Sequence, residues 1–418
     1  MRIKKIEAHE ILDSRGNPTI ECFVRLEDGR GVWASVPSGA SVGKAEALEL
    51  RDGDTDRFGG KGVLKAIEHI EMVIAPELVK KEPDLLKTDK LLCELDGTAN
   101  KSKLGANATL AVSMAVARAQ AHACNKHLFQ SLRETFKVQD FVMPGCMFNV
   151  LNGGMHADNG ITFQEFMIMP AGQESIADAV CVASEIYHTL KKVLHHAKLA
   201  TTVGDEGGFA PMLPGKALEK ERAALNFLMQ AIKQAGFSVG GDVVLCLDVA
   251  ASSFYDAKKD GYVIDSKLVS RQMLVDFYAS LLNEFPLYSI EDGMGEDDES
   301  GWQLLTETLG QKVQLVGDDV FVTNKTRIRN GIENGIANSV LIKPNQIGTV
   351  TEAYAALKIA QDAGYLTVVS HRSGETEDSF IADFTVGCAA GQIKAGAPAR
   401  GERVVKYNRL MEIERLIG

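Results

Sequence analysis

The chain has 418 residues, 45% of them hydrophobic and 24% charged, with a formal net charge of −11. This composition predicts a globular protein of two or three domains. The acidic balance argues against nucleic-acid or anionic-membrane binding, because phosphate groups would be repelled. No signal segment begins the chain and no apolar run approaches the ~18 residues of a membrane span, so we expect a cytoplasmic protein. Seven irregularly spaced cysteines without a C-x-x-C pair predict reduced thiols.

Residues 1–135 predict an α+β domain. Alternating segments at 3–13, 19–26 and 31–36 indicate strands, and Asp28-Gly29 indicates a hairpin turn between the last two. Residues 107–122 are rich in Ala, Val and Met, which predicts a buried helix packed through small side chains.

Residues 136–418 predict an α/β barrel. Short apolar runs end at Asp248, Glu291, Asp318, Lys343 and His371, and amphipathic stretches separate them. Spacings near ~25 residues after Glu291 are typical of repeated βα units, and the continuous apolar strands favour a parallel sheet. A closed barrel would bring these polar residues to one rim. An open doubly wound sheet is the main alternative, but no G-x-G-x-x-G fingerprint supports it.

Asp248, Glu291 and Asp318 form the candidate metal site. Each acid ends a strand, and three carboxylates on one rim would repel one another without a cation. Hard oxygen ligands, few in number and with room for water and substrate, suit Mg²⁺. One such acid alone is more simply a helix cap or loop residue, but three successive strand ends make that interpretation the weaker one.

Candidate acid–base residues are individually ambiguous. Lys343 is either a base, whose pKa burial and nearby cations would lower, or a surface lysine. Glu206 lies in a glycine-rich loop that could be an ordinary polar turn, and Glu165 lies in an apolar segment where it could be a buried ion-pair partner.

Other candidates bind anions. Arg372 and Ser373 follow His371 with donors suited to phosphate or carboxylate, and Lys394 ends one more short strand. His156 follows a glycine loop and alone is more simply structural. Together these residues predict removal of a weakly acidic C–H beside a carboxylate and protonation of a leaving group.

Six segments together resemble the enolase family, in its bacterial type. They run in family order over essentially the whole chain: DSRGNPT at 13–19, PSGAS at 37–41, QEFMI at 164–168, GDEGG at 204–208, LIKPNQIG at 341–348 and SHRSGETED at 370–378. The resemblance implies an α+β N-terminal domain, with lid loops and dimer contacts, followed by an eight-stranded α/β barrel.

The resemblance also implies a reaction and residue roles. The reaction is the reversible, Mg²⁺-dependent dehydration of 2-phosphoglycerate to phosphoenolpyruvate in glycolysis and gluconeogenesis. Lys343 would be the base, and Glu206 the acid, assisted by Glu165. The remaining matches imply substrate binding by His156, Glu165, His371, Arg372, Ser373 and Lys394, a first Mg²⁺ on Asp248, Glu291 and Asp318, and a second Mg²⁺ with Ser41 on loop closure.

The resemblance further implies a homodimer or larger homo-oligomer, and leaves room for a minor surface or secreted fraction. Val42, Met155 and Pro344 depart from the expected family pattern without replacing a site residue. A related barrel enzyme acting on a non-phosphorylated acid, such as a racemase or cycloisomerase, is an alternative that the Ser41 loop, Arg372-Ser373 and Glu206 disfavour. An inactive interaction protein is another, disfavoured because all five principal catalytic and metal residues are present.

Overall fold

A computed structural model gives the structure of the chain and describes residues 1–39 and 43–418. The N-terminal part pairs a three-stranded antiparallel sheet with helices. Its strands are β1 (Ile3–Leu12), β2 (Pro18–Leu26) and β3 (Gly31–Ser35), and its helices are α1 (Leu64–His69), α2 (Ala75–Leu78), α3 (Leu85–Asp96), α4 (Ala106–Ala123) and α5 (Leu128–Phe136). The predicted buried helix is α4, where fourteen residues are buried.

Eight strands close into a barrel, which confirms the predicted fold class. They are β4 (Gly145–Asn152), β5 (Glu165–Pro170), β6 (Val243–Asp248), β10 (Leu287–Glu291), β11 (Gln314–Gly317), β12 (Ser339–Ile342), β13 (Leu366–Ser370) and β14 (Gly391–Lys394). A small antiparallel sheet follows β6, formed by β7 (Tyr255–Asp256), β8 (Gly261–Ile264) and β9 (Lys267–Val269).

Helices surround the barrel. They are α6 (Ile176–His196), α7 (Glu219–Gln234), α8 (Arg271–Glu284), α9 (Glu299–Leu309), α10 (Lys325–Glu333), α11 (Val350–Asp362), α12 (Phe380–Gly387) and α13 (Gly401–Ile417). Capping side chains fix several starts: Ser270 accepts a hydrogen bond from the Met273 N–H, and Thr349 accepts one from the Glu352 N–H. Within the described ranges, no helix combines the length and apolarity needed to cross a membrane.

One barrel strand departs from the expected parallel sheet. Strand β5 runs antiparallel to both β4 and β6. Residues 153–164, between β4 and β5, contain a single 3-10 turn and no α-helix. A parallel return needs a crossover, usually a helix, so this connection brings β5 back antiparallel. The predicted domain boundary at residue 135 stays a prediction; α5 ends at Phe136 and β4 begins at Gly145.

Candidate active site

A pocket of about 320 Å³ opens at the barrel rim. Most of the predicted site residues line it, namely His156, Glu165, Glu206, Asp248, Asp318, Lys343, His371, Arg372, Ser373 and Lys394. Glu291 adjoins the pocket through its contact with Lys394. The second-metal prediction at Ser41 lies outside the described residues.

Glu165 reaches this rim because β5 is antiparallel. It begins β5 and pairs in register with Asp248, which ends β6. Glu291, which ends β10, pairs with Asp248 from the other side. Three carboxylates from three adjacent strands are thereby placed side by side, and each is nearly fully buried.

The buried Lys394 ammonium lies among these three acids. Its Nζ is 2.8 Å from both Glu291 oxygens, 3.2 Å from Glu165 Oε1 and 3.3 Å from Asp248 Oδ2. Burial disfavours the charged form of Lys394, but the surrounding carboxylates prevail and raise its pKa well above the usual value. Positive charge therefore already occupies the point where the acids converge.

Asp318, the third predicted metal ligand, makes an ion pair with Lys343. Gln346 Nε2 donates to its other oxygen at 3.0 Å. Although burial and the neighbouring Arg372 and Lys394 act to lower the Lys343 pKa, Asp318 raises it overall. The lowered lysine pKa expected from the sequence is therefore not found in this state of the site.

Two further acids at this rim were missed in the sequence. Asp292, Asp318 and Asp319 each offer a carboxylate oxygen within 4.8 Å of the others. Asp292 also accepts the backbone N–H groups of Asp318 and Asp319, at 2.8 and 3.0 Å. Burial raises the pKa of Asp292 well above its usual value. Burial and the neighbouring Asp318 carboxylate raise the pKa of Asp319 to about 7. Asp292 follows Glu291 and Asp319 follows Asp318 in the sequence, and these positions next to predicted ligands could have indicated them.

The Glu206 loop is held against β4. Asn149 Nδ2 donates to Glu206 Oε2 at 3.0 Å. Gly207 has a φ of +89°, and a Cβ on Gly208 would approach Asn152 Oδ1 to 2.7 Å. Because these glycines lack side chains, the loop can approach β4 closely, and Glu206 lines the pocket.

Glu206 faces Glu165 and two histidines. His371 Nε2 lies 3.2 Å from Glu206 Oε2, and His156 Nε2 lies 3.7 Å from Oε1. Ligand atoms of His156, Glu165 and Glu206 lie within 4.8 Å of one another.

The two carboxyls have opposite pKa shifts. Burial, reinforced by Glu206, raises the Glu165 pKa well above its usual value. Burial works in the same direction on Glu206, but His371, His156 and Arg403 outweigh it and lower that pKa. Burial lowers the His371 pKa to about 4, so its imidazole is neutral at pH 7. The raised pKa of Glu165, which its burial causes, makes this carboxyl the one of the pair that holds a proton more firmly.

The Arg372 guanidinium is already engaged by an acid. Its Nη1 and Nη2 atoms donate to Glu46 at 2.9 and 3.2 Å, and both side chains are buried. Glu46 was not predicted from the sequence; it lies five residues after Ser41. The Glu46 carboxylate therefore occupies the place on Arg372 where an anionic ligand would bind.

The arrangement can hold cations and an anionic ligand together. Two acidic clusters, one around Asp318 and one around Glu165, have the oxygen donors that a hard divalent cation prefers. Glu165 Oε2 is buried without a hydrogen-bond partner among the described residues, so this oxygen is open to a ligand. Cationic Arg372, Lys343 and Lys394 line the same pocket.

Comparisons with known proteins agree with this geometry. The family model described as "Enolase, N-terminal domain" matches residues 3–132, and the one described as "Enolase, C-terminal TIM barrel domain" matches residues 140–418. A curated protein named "Enolase" from a Nitratiruptor species is 54% identical over 414 residues, covering 99% of this chain and 96% of that protein. The chain therefore belongs to the enolase family.

Proposed function

We propose that the protein catalyses the reversible, Mg²⁺-dependent dehydration of 2-phosphoglycerate to phosphoenolpyruvate. The observation that supports this most directly is one pocket that combines a buried lysine, a buried carboxyl pair and metal-type acids. Such a set can remove a proton from carbon and protonate an oxygen leaving group in one enclosure. Membership in the enolase family makes this the expected carbon–oxygen lyase reaction.

Asp248, Glu291 and Asp318 would hold the first Mg²⁺. The Lys394 ammonium among Glu165, Asp248 and Glu291 supports this, because those acids already require a positive charge. When bound, Mg²⁺ supplies positive charge that stabilises the carboxylate of the substrate as negative charge develops on it. Asp292 and Asp319 adjoin this site. A second Mg²⁺ with Ser41 stays a prediction.

Cationic side chains would orient the substrate. Arg372 and Ser373 would receive the phosphate, with the planar guanidinium now held by Glu46 turning to the phosphate oxygens. Lys394 would donate to the substrate carboxylate from its position beside Glu165 and Glu291. Fixing both anionic ends would present the C2–H bond to one face of the pocket.

Lys343 would be the base. It would take the C2 proton, and the C–H electron pair would move into the substrate carboxylate to give an enolate. Its ion pair with Asp318 keeps it protonated here, so the base form requires that the charge of Asp318 be engaged by a cation. Arg372 and Lys394 already act to lower its pKa.

Glu206, with Glu165, would be the acid. The enolate electron pair would form the C2=C3 bond as the C3–O bond breaks, and a proton from the carboxyl pair would convert the departing hydroxide to water. Oxygens of Glu165 and Glu206 lie within 4.8 Å of each other, and the anionic substrate would raise both pKa values. His156 and His371, which flank Glu206, would contact the leaving group.

The N-terminal domain would supply dimer contacts. Leu12 and Trp33 are 58% and 44% exposed beside a groove of about 620 Å³, which also contains Arg118 and Asp378. Covering exposed aromatic and aliphatic side chains favours association. The proposed glycolytic role would place the protein in the cytoplasm.

Phosphoenolpyruvate formation tests the activity. Purified protein is mixed with 2-phosphoglycerate, with Mg²⁺ or with chelator, and ultraviolet absorbance is followed; glycerate without phosphate is the matched substrate control. We expect the absorbance to rise only with 2-phosphoglycerate, not with glycerate, and only when Mg²⁺ is present. Turnover of glycerate, with none of 2-phosphoglycerate, would contradict the proposal.

A further inference from the structure

Arg403 lies behind His371 and is fully buried. It belongs to the first turn of α13, and its Nη1 lies 2.7 Å from His371 Nδ1. The same nitrogen donates to the Arg372 carbonyl at 2.6 Å, while Nη2 donates to the Ser373 carbonyl at 2.6 Å and the Asp205 carbonyl at 3.1 Å. One guanidinium thus ties together the loop that carries Glu206 and the loop that carries His371.

The shape of the neighbouring chain is fitted to this side chain. Gly396 has a φ of +86°, and a Cβ there would approach Arg403 Cδ to 2.7 Å. The fixed backbone carbonyls leave the guanidinium little freedom to turn away from His371. The fold therefore holds the guanidinium of Arg403 in contact with His371 Nδ1.

The chemistry of this contact assigns the imidazole proton. A guanidinium has only donors, so His371 Nδ1 must be the acceptor and carry no proton. Neutral imidazole then has its proton on Nε2, which is the nitrogen 3.2 Å from Glu206 Oε2. Burial lowers the His371 pKa to about 4, which keeps the ring neutral at pH 7.

We propose that Arg403 is a positioning residue that holds His371 as its Nε2–H tautomer and so places an N–H donor beside Glu206, where it can serve the departing oxygen. The role at the departing oxygen rests on the proposed function, whereas the tautomer does not. Nε2 has no aligned hydrogen-bond partner within residues 1–39 and 43–418, so its N–H can serve a ligand. The opposite tautomer would present a lone pair to the carboxylate.

Nitrogen-15 NMR of histidine-labelled protein without substrate measures the tautomer directly. The nine histidines are resolved by assigning His371 with a His371→Gln variant. We expect a protonated Nε2 and an unprotonated Nδ1 in the unaltered protein. Protonated Nδ1 would overturn the proposal, whether or not the protein dehydrates 2-phosphoglycerate. Failure of that turnover with the expected tautomer would instead reject the proposed function.

Variants separate positioning from structural support. Arg403→Met should introduce the Nδ1–H tautomer and lower kcat by about 10²–10⁴-fold, as expected when an acid–base residue is misdirected. Arg403→Lys, which keeps a positively charged group with only N–H donors, should restore the Nε2–H tautomer and part of kcat. Arg409→Met is the matched control on α13, because Arg409 pairs with Asp383 instead. Unchanged His371 signals in Arg403→Met would reduce Arg403 to a structural residue; if that variant does not fold, the unaltered protein and Arg403→Lys still decide.

Discussion

Glu165 and Asp248 lie opposite each other because their neighbouring strands are antiparallel, so that the first residue of one strand pairs with the last residue of the other. Both carboxylates contact the same Lys394 ammonium. The barrel rim thus collects acids from a strand start as well as from strand ends. Because these acids require positive charge among them, they are the physical basis for the proposed Mg²⁺ site.

Asp318→Ala should weaken Mg²⁺ binding at least about tenfold, or about 1.4 kcal/mol, because it removes a charged oxygen ligand. Isothermal titration calorimetry with Mg²⁺ measures the change. Glu299→Gln is the control, since Glu299 is an exposed acid in the first turn of α9. An affinity equal to that of the unaltered protein would remove Asp318 from the ligand set.

Dimer formation should depend on the exposed apolar side chains of the N-terminal domain. Trp33→Asp places a charge beside the groove and should shift sedimentation towards monomer at micromolar concentration. Met212→Asp is the control, because Met212 is an exposed apolar residue of the barrel part. Equal dimer fractions in the Trp33 variant and the unaltered protein would exclude this surface.

Asp89 should make stability depend on pH. It is buried on α3 and accepts the Thr351 N–H of α11 at 2.8 Å. Burial raises its pKa from 3.8 to about 6. Because the pKa of Asp89 is higher in the folded state than in the unfolded state, its favourable contribution to the free energy of unfolding is fully present below about pH 4. This contribution, about 1–3 kcal/mol, is lost as the pH rises through 6.

Asp89→Asn should remove this dependence, because the amide is neutral and keeps a carbonyl for Thr351. The variant should be more stable than the unaltered protein at pH 8 and match it near pH 4. Urea unfolding at both pH values measures the difference, with the exposed Glu94→Gln of the same helix as control. Parallel pH profiles for Asp89→Asn and the unaltered protein would contradict the account.

The sequence predicted the features that short segments encode. Apolar runs ending in Asp248, Glu291, Asp318 and Lys343 were sufficient to predict a barrel with those residues at one rim. The antiparallel direction of β5 was not predicted, since it depends on a connection that lacks a crossover helix.

Contacts between distant residues also escaped prediction. The protonated state of Lys343 follows from its ion pair with Asp318, and the engagement of Arg372 follows from Glu46, 326 residues away. Arg403 gave no signal in the sequence, because its importance comes from where α13 places it behind His371. These features are set by tertiary packing and not by local pattern.

The most direct test of the roles assigned to Lys343 and Glu206 is exchange of the C2 proton of 2-phosphoglycerate with deuterated solvent. Proton NMR measures this exchange, and turnover is measured on the same samples. Lys343 is proposed to act on C2 and Glu206 on the leaving oxygen, so the two variants should differ. Lys343→Ala should lose exchange and turnover together, by roughly 10²–10⁴-fold or more. Glu206→Gln should lose turnover and retain C2 exchange. Exchange that persists in Lys343→Ala and disappears in Glu206→Gln would reverse the two roles and contradict the account.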